Sequence, residues 1–290
     1  MLKISKNLYY IYLKHFGKYF RLPSYPFTSG DTFRDYSNFI YDEIKNFNPI
    51  NVSAGDKIFV KTDLIDKYFK HCHPKIKNKY YLITHNSDVN ISNYYFKFLD
   101  DKIINWFAQN LEEKFSEKIN IIPIGLENRW RMRNGKIKDF NRYMIKKNTK
   151  NIVVLSSFST ETNKNRKKVR KIINGSSFIK FAESVNPKKY RSLLSNSMFN
   201  ICPEGNGLDT HRIWESLALE AIPIVLKNSF TEQYSRIGVP MLYLNSWNEL
   251  IEFQEDDLIN LYSKLTANND LKKFSLFSFW KEYMESLNEK

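Results

Sequence analysis

Cysteine is scarce, with two in 290 residues, and both Cys72 and Cys202 sit in apolar surroundings far apart in the chain. That argues against a disulfide framework and for a reducing compartment. No apolar run approaches the ~20 residues that cross a bilayer. The N-terminus carries Lys3 and Lys6 without an apolar core or a small-residue cleavage site, so no secretory signal is expected. The expected location is the cytoplasm, with room for peripheral contact at the inner face of an anionic membrane. Repeats and low-complexity linkers are missing, and disorder is not expected. Metal-ligand spacing is missing too. His71, Cys72 and His73 are consecutive, and neighbours on a helix diverge by about 100°, so the three cannot converge on one ion. No metal and no cofactor are expected.

Acid is what the composition is short of. The net charge is +14 and the pI near 9.5. Such a surface suits nucleic acid, an anionic membrane or phosphorylated substrates, and charge alone does not choose among them. The aromatics follow core periodicity and no RNA-binding motif occurs, so nucleic acid is not the expected partner. A 42% hydrophobic content supplies ample core, and the length implies two domains.

The pattern along the chain is strand and helix in alternation. Residues 1–22 mix aromatics with basics and read as an element packed on the first domain, or as an amphipathic membrane-surface helix. SGDTFR (Ser29–Arg34) opens a helical stretch over Tyr36–Lys45, capped by Asp31 or Thr32. Strands are expected at Lys57–Lys61, Tyr80–Thr84, Ile103–Phe107 and Ile119–Ile124, with helices at Thr62–His71 and Leu111–Lys118. A basic connection, Arg129–Lys150, leads into a second alternation. Its strands are Asn151–Ser157, Phe178–Phe181, Met198–Cys202, Ile222–Leu226 and Met241–Leu244. Alternation at these lengths means parallel βαβ units. The expected fold class is α/β, two Rossmann-like domains with parallel sheets facing a cleft, over residues 1–148 and 149–268. A C-terminal helix, 269–290, is expected to pack back on the first.

Ligands of such sheets sit at the carboxyl ends of the strands. The polar residues found there are His85, Asn86, Asp88, Asn110, Glu127 and Asn128. His85 or Asp88 could serve as a general base facing the cleft, or the THNSD run could simply be a turn. Asp31, beside Arg34 at a helix start, is a third candidate. Met198–Lys227 is the most informative stretch. Gly205 and Gly207 would let backbone approach a phosphate, and the helix that follows offers free N–H groups. Glu204, Asn206, Asp209, Thr210, Arg212 and Glu215 crowd this loop and helix. Asp209, Arg212 and Glu215 recur three apart, about 9 Å end to end at roughly 1.5 Å per residue, which fits a ribose beside the helix. An internal Asp209–Arg212 pair would explain two of them. Arg166, early in a helix after the first strand of this domain, points to the same edge, where its fork suits a diphosphate.

CPEGNGLDTHRIWESLALEAIPIV, residues 202–225, resembles the nucleotide-binding motif of exostosin-like glycosyltransferases, CP-x-G-x-G-x-x-x-x-R-x-W-E-x-L followed by IPIV. Its Cys-Pro-Glu and Ile-Pro elements are also similar to α-1,3-fucosyltransferases, and SGDTFR, ITHNSD, WFAQN and IPIGLEN resemble stretches of small bacterial and viral members of that group. The resemblance implies a GT-B arrangement, with the donor on the second domain and the acceptor on the first. It implies inverting, metal-independent transfer of a sugar from a nucleotide diphosphate to a glycan or lipid-linked hydroxyl, as in surface polysaccharide synthesis. Arg166, Arg212 and the helix starts would meet the diphosphate, and Asp88, His85 or Asp31 would activate the acceptor. A basic nucleic-acid-binding protein, or a nucleotide-sugar binder without turnover, are the alternatives. The sequence departs from the motif at Glu220, where relatives carry Gly. Gly there closes a helix in a left-handed turn, so a different helix end is expected here.

Overall fold

The computed structural model describes residues 20–145, 149–267 and 269–287, so the reading of residues 1–19 falls outside it. Two five-stranded sheets, all parallel, divide the chain. The first contains β1 (Phe39–Tyr41), β2 (Lys57–Lys61), β3 (Tyr80–His85), β4 (Ile103–Ala108) and β5 (Ile119–Ile121), in spatial order β1-β2-β3-β4-β5. The second contains β6 (Ile152–Ser156), β7 (Ile179–Phe181), β8 (Ser197–Ile201), β9 (Ile222–Leu226) and β10 (Leu242–Leu244), in order β10-β9-β8-β6-β7. Ile58, Phe59 and Val60 of β2 and Val154 and Leu155 of β6 are buried, as the continuous apolar runs require of strands covered on both faces.

The difference in order matters for ligands. In the first sheet, successive strands lie side by side. In the second, the chain runs outward from β6 to β7 and then returns to the other side of β6 with β8, so the order reverses between them. A crevice for a ligand forms at such a switch point, outside the carboxyl ends of the strands.

Three expected elements differ, and the first is the connection Arg129–Lys150, which carries a helix at Ile137–Ile145. The helix opened by SGDTFR is α1 (Gly30–Tyr36), with Ser29 as its cap accepting from Thr32 N, and it ends at Tyr36. The aromatic and β-branched run beyond it pairs with β2 as β1. Leu111–Lys118 forms no helix. There Ile91 and Leu111 make a parallel bridge, and Glu112 N bonds Ile91 O, so the segment spends its backbone groups on a neighbouring loop.

The remaining helices are α2 (Ile65–His71), α3 (Ile137–Ile145), α4 (Lys164–Ile173), α5 (Pro187–Ser195), α6 (His211–Ala218), α7 (Ser229–Ile237), α8 (Asn248–Glu252), α9 (Glu255–Thr266) and α10 (Phe277–Ser286). The C-terminal segment returns to the first sheet: Thr28 N bonds Ser275 O, Phe277 N bonds Pro26 O, and Phe277 meets Phe33 edge to face at 5.4 Å. The same segment carries the buried Trp280, whose ring meets Trp214 of α6 at 5.6 Å and Tyr234 of α7 at 6.1 Å. One aromatic knot thus holds the chain end, the first sheet and the helix that opens the candidate site.

At the end of α6, Glu220 keeps the left-handed conformation (φ 58°) usually left to Gly. Glu220 N bonds Leu217 O and Ala221 N bonds Ser216 O, the paired bonds of a left-handed helix cap. The different helix end expected from Glu220 is therefore not formed. The side chain reaches Lys272 at 3.1 Å, which offsets part of the roughly 1 kcal/mol that a Cβ costs there.

Candidate functional site

The carboxyl edge of the first sheet is built from residues that turn the chain sharply. Asn86 after β3, Asn110 after β4 and Gly125 after β5 all have positive φ. Asn tolerates this conformation because its short amide bonds locally. At Gly125 a Cβ would also run into the Thr28 carbonyl. These turns fold polar side chains back onto one another. Asn128 Oδ1 accepts from Asp31 N at 2.8 Å, Asn128 Nδ2 donates to Asn86 Oδ1 at 2.8 Å, and Asn86 Nδ2 donates to Asp31 Oδ1 at 3.2 Å. The ring is closed, and Arg21 adds a contact to Asp31 at 3.3 Å.

The three groups expected to activate an acceptor are placed differently. Asp31 is fully buried in that ring, and burial pushes its carboxyl up to about 6 against the pull of Arg21 and Asn86. His85 is buried with both nitrogens committed: Nε2 donates to Pro123 O at 2.9 Å and Nδ1 accepts from Asn86 N at 2.7 Å. Burial drives it down to about 4, so it stays neutral. Asp88 alone is exposed on the cleft wall, where Asn206 Nδ2 of the second half reaches it at 3.3 Å.

The second sheet's edge is open where the first is closed. Its crevice has two connected parts. A cavity of about 440 Å³ is lined by Ser157–Glu161 after β6, Ala182–Val185 after β7, Tyr190 and Arg191 of α5, and Thr210–Arg212 and Glu215 of α6. A larger one of about 760 Å³ lies between the sheets, with Lys61, His85–Val89 and Gln109 on one wall and Arg166, Gly205–Gly207 and Asp209–Arg212 on the other. Glu127, Ser159, Thr210, His211 and Arg212 line both. The edge of β6, at the switch point, therefore opens into this trough.

Arg212 is a cation that lines both parts of the trough. Its Nε donates to Ser157 O at 2.8 Å, which fixes the guanidinium at the end of β6. Its two terminal nitrogens carry no bond among the described residues, so four N–H donors are left for a ligand of the trough it lines. Glu215, three residues on, is buried on the 440 Å³ cavity. Burial raises its carboxyl, while Arg191, His211 and Arg212 pull the other way. The helix spacing thus sets a cation and a carboxylate in one cavity.

Other residues expected to bind a donor are committed within the protein. Asp209 is 4% exposed, and its oxygens accept from Trp214 Nε1 at 2.9 and 3.1 Å, Tyr234 OH at 3.0 Å and Ile124 N at 2.7 Å. It ties the loop after β5 to α6 and α7, and the expected Asp209–Arg212 pair is not formed. Arg166 donates to the carbonyls of Glu204 (2.8 Å), Pro203 (3.0 Å) and Ser159 (3.2 Å), so three of its five donors hold the glycine loop in shape. Burial and the nearby Arg212 bring it down to about 10, still a cation at neutral pH. Glu204 accepts from Asn228 Nδ2 at 3.0 Å. Gly207 has a use that the sequence does not reveal: a Cβ there would lie 2.7 Å from Asn110 Nδ2, which packs against it from the first half. Thr210 caps α6 by backbone alone, and Gly205 and Asn206 line the cleft.

His211 escaped the sequence reading. It is the first residue of α6, with Nδ1 2.7 Å from Gly125 O and Nε2 3.6 Å from Glu127 Oε1. Its position just before Arg212 at a helix start was the available signal. Among the described residues, no three His, Cys, Asp or Glu side chains are grouped to hold a metal, and no helix is long and apolar enough to cross a membrane.

No protein-family model matches the chain, and no curated protein matches it. Among solved structures it is similar to an α1,3-fucosyltransferase, at 12% identity over 86% of this chain and 94% of that one, with a TM-score of 0.38. It is also similar to a UDP-forming α,α-trehalose-phosphate synthase from Burkholderia vietnamiensis, at 8% identity over 99% and 78%, TM-score 0.48. A third likeness is to the phage T4 β-glucosyltransferase, at 10% identity over 81% of each chain, TM-score 0.36. In its own architecture the chain is GT-B-like: two parallel α/β sheets turn their carboxyl edges to a common cleft.

Proposed function

We propose that the protein is a glycosyltransferase that takes a sugar from a nucleoside-diphosphate donor and passes it to a hydroxyl of a glycan or lipid-linked glycan. The observation that carries this reading is the pairing of Arg212 and Glu215 in the cavity at the strand-order reversal, with a larger cleft adjoining it. The guanidinium and the first turn of α6 suit a diphosphate. The Glu215 carboxylate suits the vicinal hydroxyls of a ribose, and the Ala182–Val185 loop would border the base. The sugar then projects into the 760 Å³ cleft, toward the wall that carries Asp88 and Glu127.

In this reading Arg212, Arg166 and the α6 start meet the charge that develops as the diphosphate leaves. Fixed donors in a partly desolvated trough do this without reorganising at the moment of reaction. Direct displacement by the acceptor oxygen inverts the anomeric centre and needs no metal. The net charge of +14 favours phosphorylated substrates and acceptors presented at an anionic membrane.

The test is a melting panel of UDP-, GDP- and CMP-sugars, followed by mass spectrometry of acceptor mixtures with the stabilising donor, with and without EDTA. One donor should raise the melting temperature, and its sugar should appear on an acceptor with EDTA present. A panel that yields no stabilising nucleotide sugar sinks the proposal. A donor that binds but is never turned over would leave a binding protein.

A further inference from the structure

The two cavities meet at a pair of side chains, one from each half. Glu127 follows β5, and His211 opens α6. His211 Nδ1 faces the Gly125 carbonyl, which can only accept, so Nδ1 carries its hydrogen in both protonation states. Nε2 is therefore the nitrogen that gains and loses a proton, and it points to Glu127 Oε1 at 3.6 Å. Asn128 N holds that same oxygen at 3.1 Å.

Burial alone would lower the imidazole. Glu127, the Gly125 carbonyl and the more distant Glu215 and Asp209 outweigh it and hold the group above its ordinary value. Arg212, next in the chain, and His85, neutral at the end of β3, are the other titratable groups that face it. Glu127 thus favours the protonated form of the imidazole that faces it.

Other cleft carboxylates lack this arrangement. Glu43 is held by Arg21 and Lys61, Asp63 by Lys61 and Ser87, and Asp209 by Trp214 and Tyr234. Asp88 meets an amide, Asn206, which cannot return a proton.

Resting on the transferase reading above, we infer that Glu127 and His211 form a proton relay from the acceptor hydroxyl to the departing nucleoside diphosphate. The acceptor oxygen forms a bond to the anomeric carbon while the bond from that carbon to the diphosphate oxygen breaks, and its electron pair stays with the diphosphate. Glu127 takes the acceptor proton. His211 gives the proton on Nε2 to a diphosphate oxygen at the start of α6. The proton on Glu127 then passes to Nε2, and the pair is again carboxylate and imidazolium. No co-reactant enters, and the proton lost by one substrate leaves on the other product.

The experiment measures turnover of the stabilising nucleotide sugar against pH, together with calorimetric binding of its nucleoside diphosphate, in wild type, Glu127→Gln, His211→Gln and Asp88→Asn. The wild type should give a bell-shaped profile. Glu127→Gln should lower turnover about 100-fold or more and remove the acid limb, with diphosphate affinity kept within about threefold. His211→Gln should remove the alkaline limb. His211→Asn, with a shorter amide, serves as a second variant should the first fold poorly by circular dichroism. Unchanged limbs in both variants, or a loss confined to Asp88→Asn, overturn the relay and leave the transferase standing. A wild type that binds no nucleoside diphosphate overturns the transferase reading, and the relay with it.

Discussion

The two carboxyl edges that face the cleft are equally rich in polar side chains and are put to opposite uses. On the first sheet, Asp31, Asn86 and Asn128 close a ring of hydrogen bonds, and His85 has both nitrogens occupied. On the second, Arg212 and Glu215 keep part of their bonding capacity turned to a cavity. The contrast follows from topology. Strands in simple succession give the first edge no order reversal, and Asp31, Asn86 and Asn128 bond one another there, with Asp31 Oδ2 left over. The reversal between β6 and β8 opens a crevice at the second. Polar density at a strand end is thus a weak sign of a site, and unspent donors and acceptors at a switch point are a better one.

The largest expected effect comes from removing the strut between the edges. Asp209→Ala orphans three donors, Trp214 Nε1, Ile124 N and Thr210 N, while Tyr234 OH keeps Ile122 O. At about 1–3 kcal/mol for each, the variant should lose about 3 kcal/mol or more in urea unfolding. A loss below about 1 kcal/mol would mean that Asp209 is free for a ligand after all. Next in size is Glu215→Gln. If Glu215 holds a ribose, wild type should prefer ribo- over 2′-deoxyribonucleoside diphosphate by about tenfold, and the variant should not discriminate. Equal preference in both would move the ribose elsewhere.

The two histidines sharpen the comparison further. By NMR, His85 should titrate near 4, because burial without a charged partner favours its neutral form. His211 should titrate above the ordinary imidazole value, because Glu127 favours its charged form. Glu127→Gln should bring His211 down and leave His85 unchanged. Two histidines that titrate together would erase the distinction between the edges. The smallest effect is expected at Glu220→Gly. Relief of the left-handed Cβ and loss of the Lys272 ion pair oppose each other, so stability should change by less than about 1 kcal/mol.

Much of the fold was legible because it rests on local pattern. KIFVK, YYLIT and IPIVL read as buried parallel strands and are so. β1 was missed since a three-residue strand beside a helix carries too little periodicity to separate from it. The false helix at Leu111–Lys118 has the right composition, but its backbone is claimed by Ile91. At the site, the three-residue spacing of Arg212 and Glu215 was readable and puts both on one cavity. The commitment of Asp209 to Tyr234, and of Gly207 to Asn110, was not, because the partners lie 25 and 97 residues away. His211 looked like any first-turn residue until Gly125 and Glu127 were brought beside it.

The central claim is that the open edge, not the closed one, receives the nucleotide. Calorimetric titration with UDP and with GDP tests it most directly, on wild type, Arg212→Ala and Asp88→Asn. Losing the Arg212 fork removes charge-assisted bonds of about 1.5–3 kcal/mol, so binding should weaken roughly 10- to 100-fold there and hold within about twofold for Asp88→Asn. Binding that survives Arg212→Ala unchanged, or that is lost with Asp88→Asn alone, would contradict the assignment.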